Sequence, residues 1–433
     1  MAQLDPNKPT ILMMSDCPIL HTGQAVVTRR IAMGLHNSGK YNVVVAAWGY
    51  NGYPHPFPFM MLPCSARDFG RGGNGEAGIP GINNIIDMVK PQVLWTIGDI
   101  WMVNYLADEG AVPNRKKTKW VAYTPVDGTP IPEYWAPWLK APDRLVCETN
   151  WGFDQVKNLI PDLDHRWVYH GTDEKKYYPL PDETKKKIRK GISYLAITGE
   201  NNLDVRQGIG EDDFIVGTIA RNQPRKNYDR NLKGFAMFAK DKPNAKLWIH
   251  ANPIDQGYNL VQLANFLGIQ DKVIFTPKNS IVNGLNEEEM NMMMNVFDVH
   301  LLPTQGEGFG IPILETMSAG VPQVVTDYTS HVEFAKTAGE MIPVVEYDDF
   351  ITGLPHPVER AMPRPSNIKK CLDRIYNDKD YRLQCSKNAR SVAEKMGWDA
   401  TIPQWIKIFD DVIAAKPKSE QAPPLQKLAT IKV

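Results

Sequence analysis

The sequence predicts an α/β protein in which two tandem parallel-sheet domains face one another across a cleft. Three observations lead there. The chain has 433 residues, beyond the size at which single hydrophobic cores usually stop growing. Short apolar runs rich in β-branched residues alternate with segments of helical spacing, the pattern of strand–helix–strand units. The alternation comes in two series, with a polar stretch from Pro179 to Asp213 between them.

In the first series Thr10 to Met14 is an apolar strand ending in Ser15-Asp16. The loop His21-Thr22-Gly23-Gln24 leads into helical spacing from Val26 to Leu35, and Val43 to Trp48 is the next strand. Further strands are expected at Val93 to Thr96, Trp120 to Tyr123, Arg144 to Cys147 and Arg166 to Tyr169. Tyr53 to Pro80 is rich in Pro and Gly and reads as surface loop. The boundary falls near Gly171 to Pro179, giving a first domain over 1–175 and a second over 176–395. Strands of the second series are Phe214 to Ile219, Lys246 to His250, Lys272 to Thr276, Val299 to Leu302 and Gln323 to Thr326. The run Lys185-Lys186-Lys187 reads as the solvated face of a short helix. An amphipathic helix is expected over 396–415, and the tail 416–433 lacks apolar periodicity and is a candidate for disorder.

Composition removes several functions. With 49 Lys and Arg against 49 Asp and Glu, the chain lacks the positive excess of a general nucleic-acid binder. The polar start MAQLDPNKPT has no signal-peptide pattern, and no apolar run approaches the roughly 18 residues of a membrane span. The expectation is a soluble, cytoplasmic chain. Five scattered cysteines, Cys17, Cys64, Cys147, Cys371 and Cys385, include no Cys-x-x-Cys pair and read as buried thiols.

Ligands of parallel-sheet domains bind beyond the carboxyl ends of the strands, so chemistry is sought in the loops that follow them. The most informative loop follows Val299 to Leu302 and reads Thr304-Gln-Gly-Glu307-Gly308-Phe309-Gly310-Ile311-Pro312, leading to Glu315 and Gly320. Gly306, Gly308 and Gly310 permit positive φ and close approach of a ligand to backbone N–H groups. Pro312 suits a first helical turn and Gly320 the position after the last. A glycine-rich loop feeding a helix N-terminus favours phosphate or another anion. Glu307 and Glu315, with seven residues between them, place two carboxylates on one ligand. After Phe214 to Ile219 come Arg221 and Lys226, two cations suited to stabilising a leaving diphosphate; Arg225 reads as an exposed basic turn.

Glu307, Glu315 and the following Ala319-Gly320-Val321-Pro322 resemble the E-x7-E signature of retaining GT-B glycosyltransferases of family 4. The resemblance implies a GT-B fold of two Rossmann-like domains. It also implies that Glu315 binds ribose hydroxyls of a nucleotide-sugar and Glu307 its sugar, while Gly308, Phe309, Gly310 and Ile311 cover sugar and phosphates. Arg221 and Lys226 resemble the family's diphosphate-binding pair, and Gly23 its first-domain glycine loop, here with one glycine. His170-Gly171-Thr172-Asp173 resembles the segment leaving the first domain, with His170 in place of Asn and read as structural. Met396-Gly397-Trp398-Asp399 resembles the segment whose helix returns to it. Tyr123-Thr-Pro-Val-Asp127-Gly128 has Asp127 where many members carry a histidine near the donor sugar, so Asp127 is a candidate for orienting donor or acceptor. Asp16, Asp99 and Trp101 also follow strands, as acceptor-side lining or as loop caps.

The implied activity is a metal-independent, retaining transfer from a UDP- or GDP-type sugar to a hydroxyl acceptor, with no cofactor. Asp162-Leu-Asp164 precedes a strand and reads as loop instead of a metal-binding triplet. A glycan or small glycoside acceptor is the first expectation; a hydroxylated DNA base, a protein side chain or a lipid-linked sugar are alternatives. An epimerase or a non-catalytic nucleotide-sugar binding protein on the same scaffold are others. The Trp-rich first domain (Trp95, Trp101, Trp120, Trp135, Trp138 and Trp151) offers rings for stacking on sugars or bases, or for the core. The stretch Ile192 to Gly210 reads as an insertion relative to the family.

Overall fold

The computed structural model describes residues 4–65, 81–108, 110–200, 202–278, 284–345, 348–353 and 356–415. The first domain is a seven-stranded sheet made of β1 (Thr10–Asp16), β2 (Asn42–Trp48), β3 (Met60–Cys64), β4 (Val93–Ile97), β5 (Lys119–Thr124), β6 (Arg144–Cys147) and β7 (His165–Trp167). Its order is β3-β2-β1-β4-β5-β6-β7 and every pair is parallel. The strands are almost wholly buried because helices cover both faces, which is why they read as continuous apolar runs.

The second domain begins with the helix Asp182–Gly191 and contains β8 (Ser193–Ile197), β9 (Leu203–Gln207), β10 (Phe214–Ile219), β11 (Ala245–His250), β12 (Val273–Phe275), β13 (Val299–Leu302), β14 (Gln323–Thr326) and β15 (Gly339–Ile342). Its sheet order is β15-β14-β13-β10-β11-β12-β8-β9. A separate antiparallel pair joins β16 (Phe350–Thr352) and β17 (Glu359–Ala361).

One expectation gains a detail and one is corrected. The second sheet is only mostly parallel, because the insertion after Ile192 is a hairpin, β8–β9, that pairs antiparallel on the β12 edge. Its outer strand exposes Asp204, Val205, Arg206 and Gln207, so it carries little apolar signal. The Pro- and Gly-rich stretch after Tyr53 holds strand β3, paired with β2 from Met60 to Cys64; residues 66–80 lie outside the described residues, as does the tail 416–433.

The chain crosses back to the first domain at its end. The helix Trp398–Ala414 turns Trp405, Phe409 and Val412 into the first domain's core, where the Trp405 ring lies 4.7 Å from Tyr123 and 5.8 Å from Trp95. Burying two aromatics and a valine gains about 1.5–3 kcal/mol each. Lys119 Nζ donates to the Val412 and Ile413 carbonyls at 2.7 and 3.2 Å, supplying a cation at the helix C-terminus. All five cysteines are buried and unbridged.

The parallel strands of the two sheets reverse order at β1/β4 and at β10/β13. Such switch points open the crevice where ligands bind. The loops leaving β1, β10 and β13 therefore deliver Gly23, the basic segment 221–226 and the glycine loop 304–310 to one place.

Candidate functional site

Thr22 caps the helix Gly23–Asn37. Its Oγ1 accepts the Ala25 N–H at 3.2 Å and donates to Asp16 Oδ2 at 2.6 Å. A Cβ added to Gly23 would touch Ile311 Cδ1 at 3.4 Å. The first turn of this helix thus abuts that of Ile311–Ser318, whose Pro312 stands in the first turn. Two helix N-termini converge, each with unsatisfied N–H groups and partial positive charge.

After β10 the chain makes a tight turn over Pro224–Lys226, and Asn227 closes it at φ 52°. Asn227 Nδ2 donates to the Pro303 and Ala361 carbonyls at 2.9 and 3.2 Å, tying the turn to the glycine loop. Lys226 Nζ lies 2.6 Å from Glu307 Oε1, and Arg225 Nη1 lies 3.2 Å from Glu307 Oε2. Arg225 Nη1 also donates to the Gly306 carbonyl. The exposed-turn reading of Arg225 is therefore corrected: both consecutive cations grip one buried carboxylate. Burial would raise the Glu307 carboxyl, but Lys226 and Arg225 hold it well below the usual carboxylate range. Burial and the neighbouring Arg225 charge push the Lys226 ammonium down, while for Arg225 burial is outweighed by Glu307 and Asp127 and the guanidinium is driven up. Arg221 is not brought into this group. Its guanidinium is 2.7 Å from Asp255 Oδ2 and 41 % exposed, and that bond raises it.

The glycines act differently from expectation. Of Gly306, Gly308 and Gly310, only Gly310 has a positive φ, 97°. Gly306 and Gly308 are required because the first domain presses on them: a Cβ on Gly306 would meet the Asp127 carbonyl at 2.1 Å, and one on Gly308 would meet Pro125 Cβ at 2.3 Å. Phe309 turns into the core, 5.0 Å from Phe334 and 4.6 Å from the His170 ring, and Ile311 packs between the two cores. Thr329, β-branched and buried, holds φ 65°, a conformation that costs energy. Its Oγ1 accepts the Glu307 N–H at 3.0 Å.

Asp127 faces this group from the first domain. Its carboxylate is 2.9 Å from Arg360 Nη1 and 3.7 Å from Arg225 Nε. Arg360 also donates to the Asp127 carbonyl at 2.6 Å. Asp99, ahead of the short helix Ile100–Val103, is pushed up to about 7 by burial and by the Asp127 charge. His170, read as structural, is buried, with Nδ1 2.8 Å from Tyr123 Oη and Nε2 3.4 Å from Glu148 Oε2. Arg360 had no signal in the sequence, because its short antiparallel strand reaches Asp127 across 233 residues.

Glu315 lies on the other side, half-buried. Burial pushes its carboxyl up to about 7, against Arg30, with Glu287 adding to the rise. Arg30 itself pairs with Glu287 at 2.5 Å and Asp173 at 3.1 Å. Asp164 pairs with Arg144 and Arg166 at the start of β7. Among the described residues no cluster of three His, Cys, Asp or Glu side chains is arranged to hold a metal, and no helix is long and apolar enough to cross a membrane.

Comparison with known proteins agrees with this layout. Residues 200–392 match the family described as glycosyl transferases group 1. An uncharacterised glycosyltransferase of Methanocaldococcus jannaschii is 25 % identical over 240 residues, 54 % of this chain and 55 % of that protein. A D-inositol 3-phosphate glycosyltransferase of Salinispora arenicola is 23 % identical over 218 residues, 48 % of this chain and 44 % of that one. The chain thus spans about half the length of these curated relatives. Among solved structures, sucrose-phosphate synthase of Thermosynechococcus elongatus superposes with a TM-score of 0.69 at 14 % identity, covering 94 % of this chain and 100 % of that one. Anabaena HepE in complex with UDP and glucose gives 0.63 at 14 % identity, covering 93 % and 100 %. Over residues 200–392 the chain matches the glycosyl transferases group 1 family, and its two α/β domains have the GT-B glycosyltransferase fold.

Proposed function

We propose that the protein is a retaining, metal-independent glycosyltransferase of the E-x7-E type, family 4, working in the cytoplasm. It moves a sugar from a UDP- or GDP-type donor to a hydroxyl acceptor on a glycan or small glycoside. The observation that carries this reading is the Lys226–Glu307–Arg225 group at 2.6 and 3.2 Å, held on a buried carboxylate in the loop that leads to the helix Ile311–Ser318. The match to glycosyl transferases group 1 over the same segment supports it, as does a structural neighbour solved with UDP and glucose.

In the proposed reaction the bond between the sugar C1 and the diphosphate oxygen breaks and its electron pair leaves with the diphosphate. A bond from C1 to the acceptor oxygen forms on the same face, and the acceptor proton passes to the leaving diphosphate. Lys226 and Arg225 offset the charge that develops, in a site shielded from water where such compensation is strong. Arg221 reaches the diphosphate by exchanging Asp255 for it. Glu307 holds both cations in place and contacts the donor sugar. The backbone of Gly308, Phe309, Gly310 and Ile311 meets sugar and phosphates, Gly23 faces them from the first domain, and Glu315 takes the ribose hydroxyls. Asp127 orients the acceptor side.

The test is release of nucleoside diphosphate from UDP- and GDP-sugars in EDTA. Turnover that survives chelation and vanishes in Lys226→Ala supports the reading. Abolition by EDTA sinks the metal-free claim, and interconversion of the donor without any acceptor would favour an epimerase.

A further inference from the structure

The loops after β4 and β5 carry an aromatic group that the donor-side residues do not use. Trp101 follows Asp99 by two positions, and Tyr134 and Trp135 lie beyond Asp127. Among them sits an imidazole from the other domain, His356, near the β16–β17 pair. Its ring centre is 5.1 Å from that of Trp101 and 5.1 Å from that of Trp135, and its Nδ1 is 2.8 Å from Tyr134 Oη. The segment behind it is pinned to the first domain: the Glu359 N–H donates to the Thr129 carbonyl at 3.1 Å, and Arg360 binds Asp127.

We propose that the rings of Trp101, Tyr134 and Trp135 form the acceptor subsite, that it takes an uncharged pyranoside, and that His356 competes for the same space. This deepens the transferase reading and rests on it. The cage already admits a small ring, tilted by 46° to Trp101 and set at 80° to Trp135, with one hydrogen bond at its edge, and a pyranose of similar size can lay its C–H face on an indole there. Trp135 Nε1 is buried and, among the described residues, has no hydrogen-bond partner, a donor suited to a sugar hydroxyl. The Asp99 and Asp127 carboxyls stand at the neighbouring loop ends to accept from others.

Charge selects against a phosphorylated acceptor. Asp99, Asp127, Glu148 and Glu307 gather here against Arg225, Arg360 and Lys226, and each of these three cations is already bound to Asp127 or Glu307. An anion arriving at the cage would have to displace a carboxylate from one of these cations, whereas a neutral glycoside does not.

The experiment titrates the full chain, with and without UDP, with methyl α-glucoside, methyl α-mannoside, glucose 6-phosphate and thymidine. Binding is read by saturation-transfer NMR. We expect a neutral glycoside to bind, Trp135→Ala to weaken it about fivefold and Trp135→Phe to weaken it far less, since one packed ring contributes about 1 kcal/mol. His356→Ala tightens binding several-fold. Preference for the phosphosugar or thymidine, no binding of any neutral glycoside, or equal binding by Trp135→Ala would overturn the proposal. If Trp135→Ala does not fold, the His356→Ala result decides: unchanged binding overturns it. UDP affinity and UDP release from UDP-glucose, measured on the same samples, show separately whether the transferase reading fails.

Discussion

Lys226 Nζ and Glu307 Oε1 lie 2.6 Å apart although 81 residues separate them in the chain. A buried pair of this kind gains little over apolar packing, yet removing one partner strands the other in a poor solvent. Here Arg225 stays on the second oxygen of Glu307 at 3.2 Å, so the carboxylate remains compensated if Lys226 is lost. The arrangement keeps two cations loaded on one carboxylate beside the place where anionic charge is proposed to develop.

Replacing Glu307 should therefore differ from replacing Lys226. Glu307→Gln leaves both cations without their carboxylate and is expected to lower stability by roughly 3 kcal/mol. Lys226→Met should lower it by less, because Arg225 remains, while cutting turnover by about 100-fold or more, the usual effect of losing one charge-stabilising group. Urea unfolding and nucleoside-diphosphate release on both variants check this; a larger stability loss for Lys226→Met would contradict the shared-carboxylate account.

At Gly306 the second domain lies tightly against the first. Its missing side chain makes room for the Asp127 carbonyl, 2.1 Å from where a Cβ would stand. Gly306→Ala should wedge the domains apart, weaken the Arg360–Asp127 bridge and cost about 1–3 kcal/mol as overpacking does. Small-angle scattering should then give a larger radius of gyration than wild type. An unchanged radius with an unchanged melting temperature would mean the loop yields instead.

The glycine loop was legible because its function and its local geometry share one signal: glycines, then Pro312, then Gly320 at φ 75°. What the glycines are for was not, since Gly306 and Gly308 answer to Asp127 and Pro125, contacts between distant parts of the chain. The strands were legible as buried apolar runs, whereas β9 was not, its outer residues being exposed. Arg225 and Arg221 are equally basic in the sequence. Only the turn over Pro224–Lys226 decides that the former points at Glu307 while the latter goes to Asp255. Arg360 and His356 depend on a two-stranded excursion whose short strands have no periodic pattern.

Thr329 tests whether strain is held at this site. Its φ of 65° disfavours any β-branched residue, while its hydroxyl satisfies the Glu307 N–H. Thr329→Ala loses that bond and keeps a Cβ in the left-handed region, so it should cost about 1–3 kcal/mol. Thr329→Gly loses the same bond but sheds the strain, roughly 1–2 kcal/mol, and should be the more stable of the two. Denaturant unfolding of both variants gives the order; Ala equal to or above Gly would show that the backbone is not strained there.

Glu315 supplies a pH dependence. Its carboxyl is pushed up to about 7 by burial, with Arg30 opposing and Glu287 adding to the rise, whereas in the unfolded chain a glutamate titrates near 4.3. Between those values the folded state holds the proton more tightly. The stability contribution is therefore present below about pH 4 and is lost as pH rises toward 7, the reverse of an ion-paired carboxylate such as Glu307. Glu315→Gln removes the titration. The variant should match wild type below about pH 4 and exceed it by about 1–2 kcal/mol at pH 8, a value below the full linkage figure because Glu315 is only half-buried. Parallel urea titrations at pH 5, 6, 7 and 8 measure the difference. A gap that does not widen with pH would mean that Arg29 and Arg30 keep Glu315 ionised throughout, and that it meets a ligand as a permanent anion.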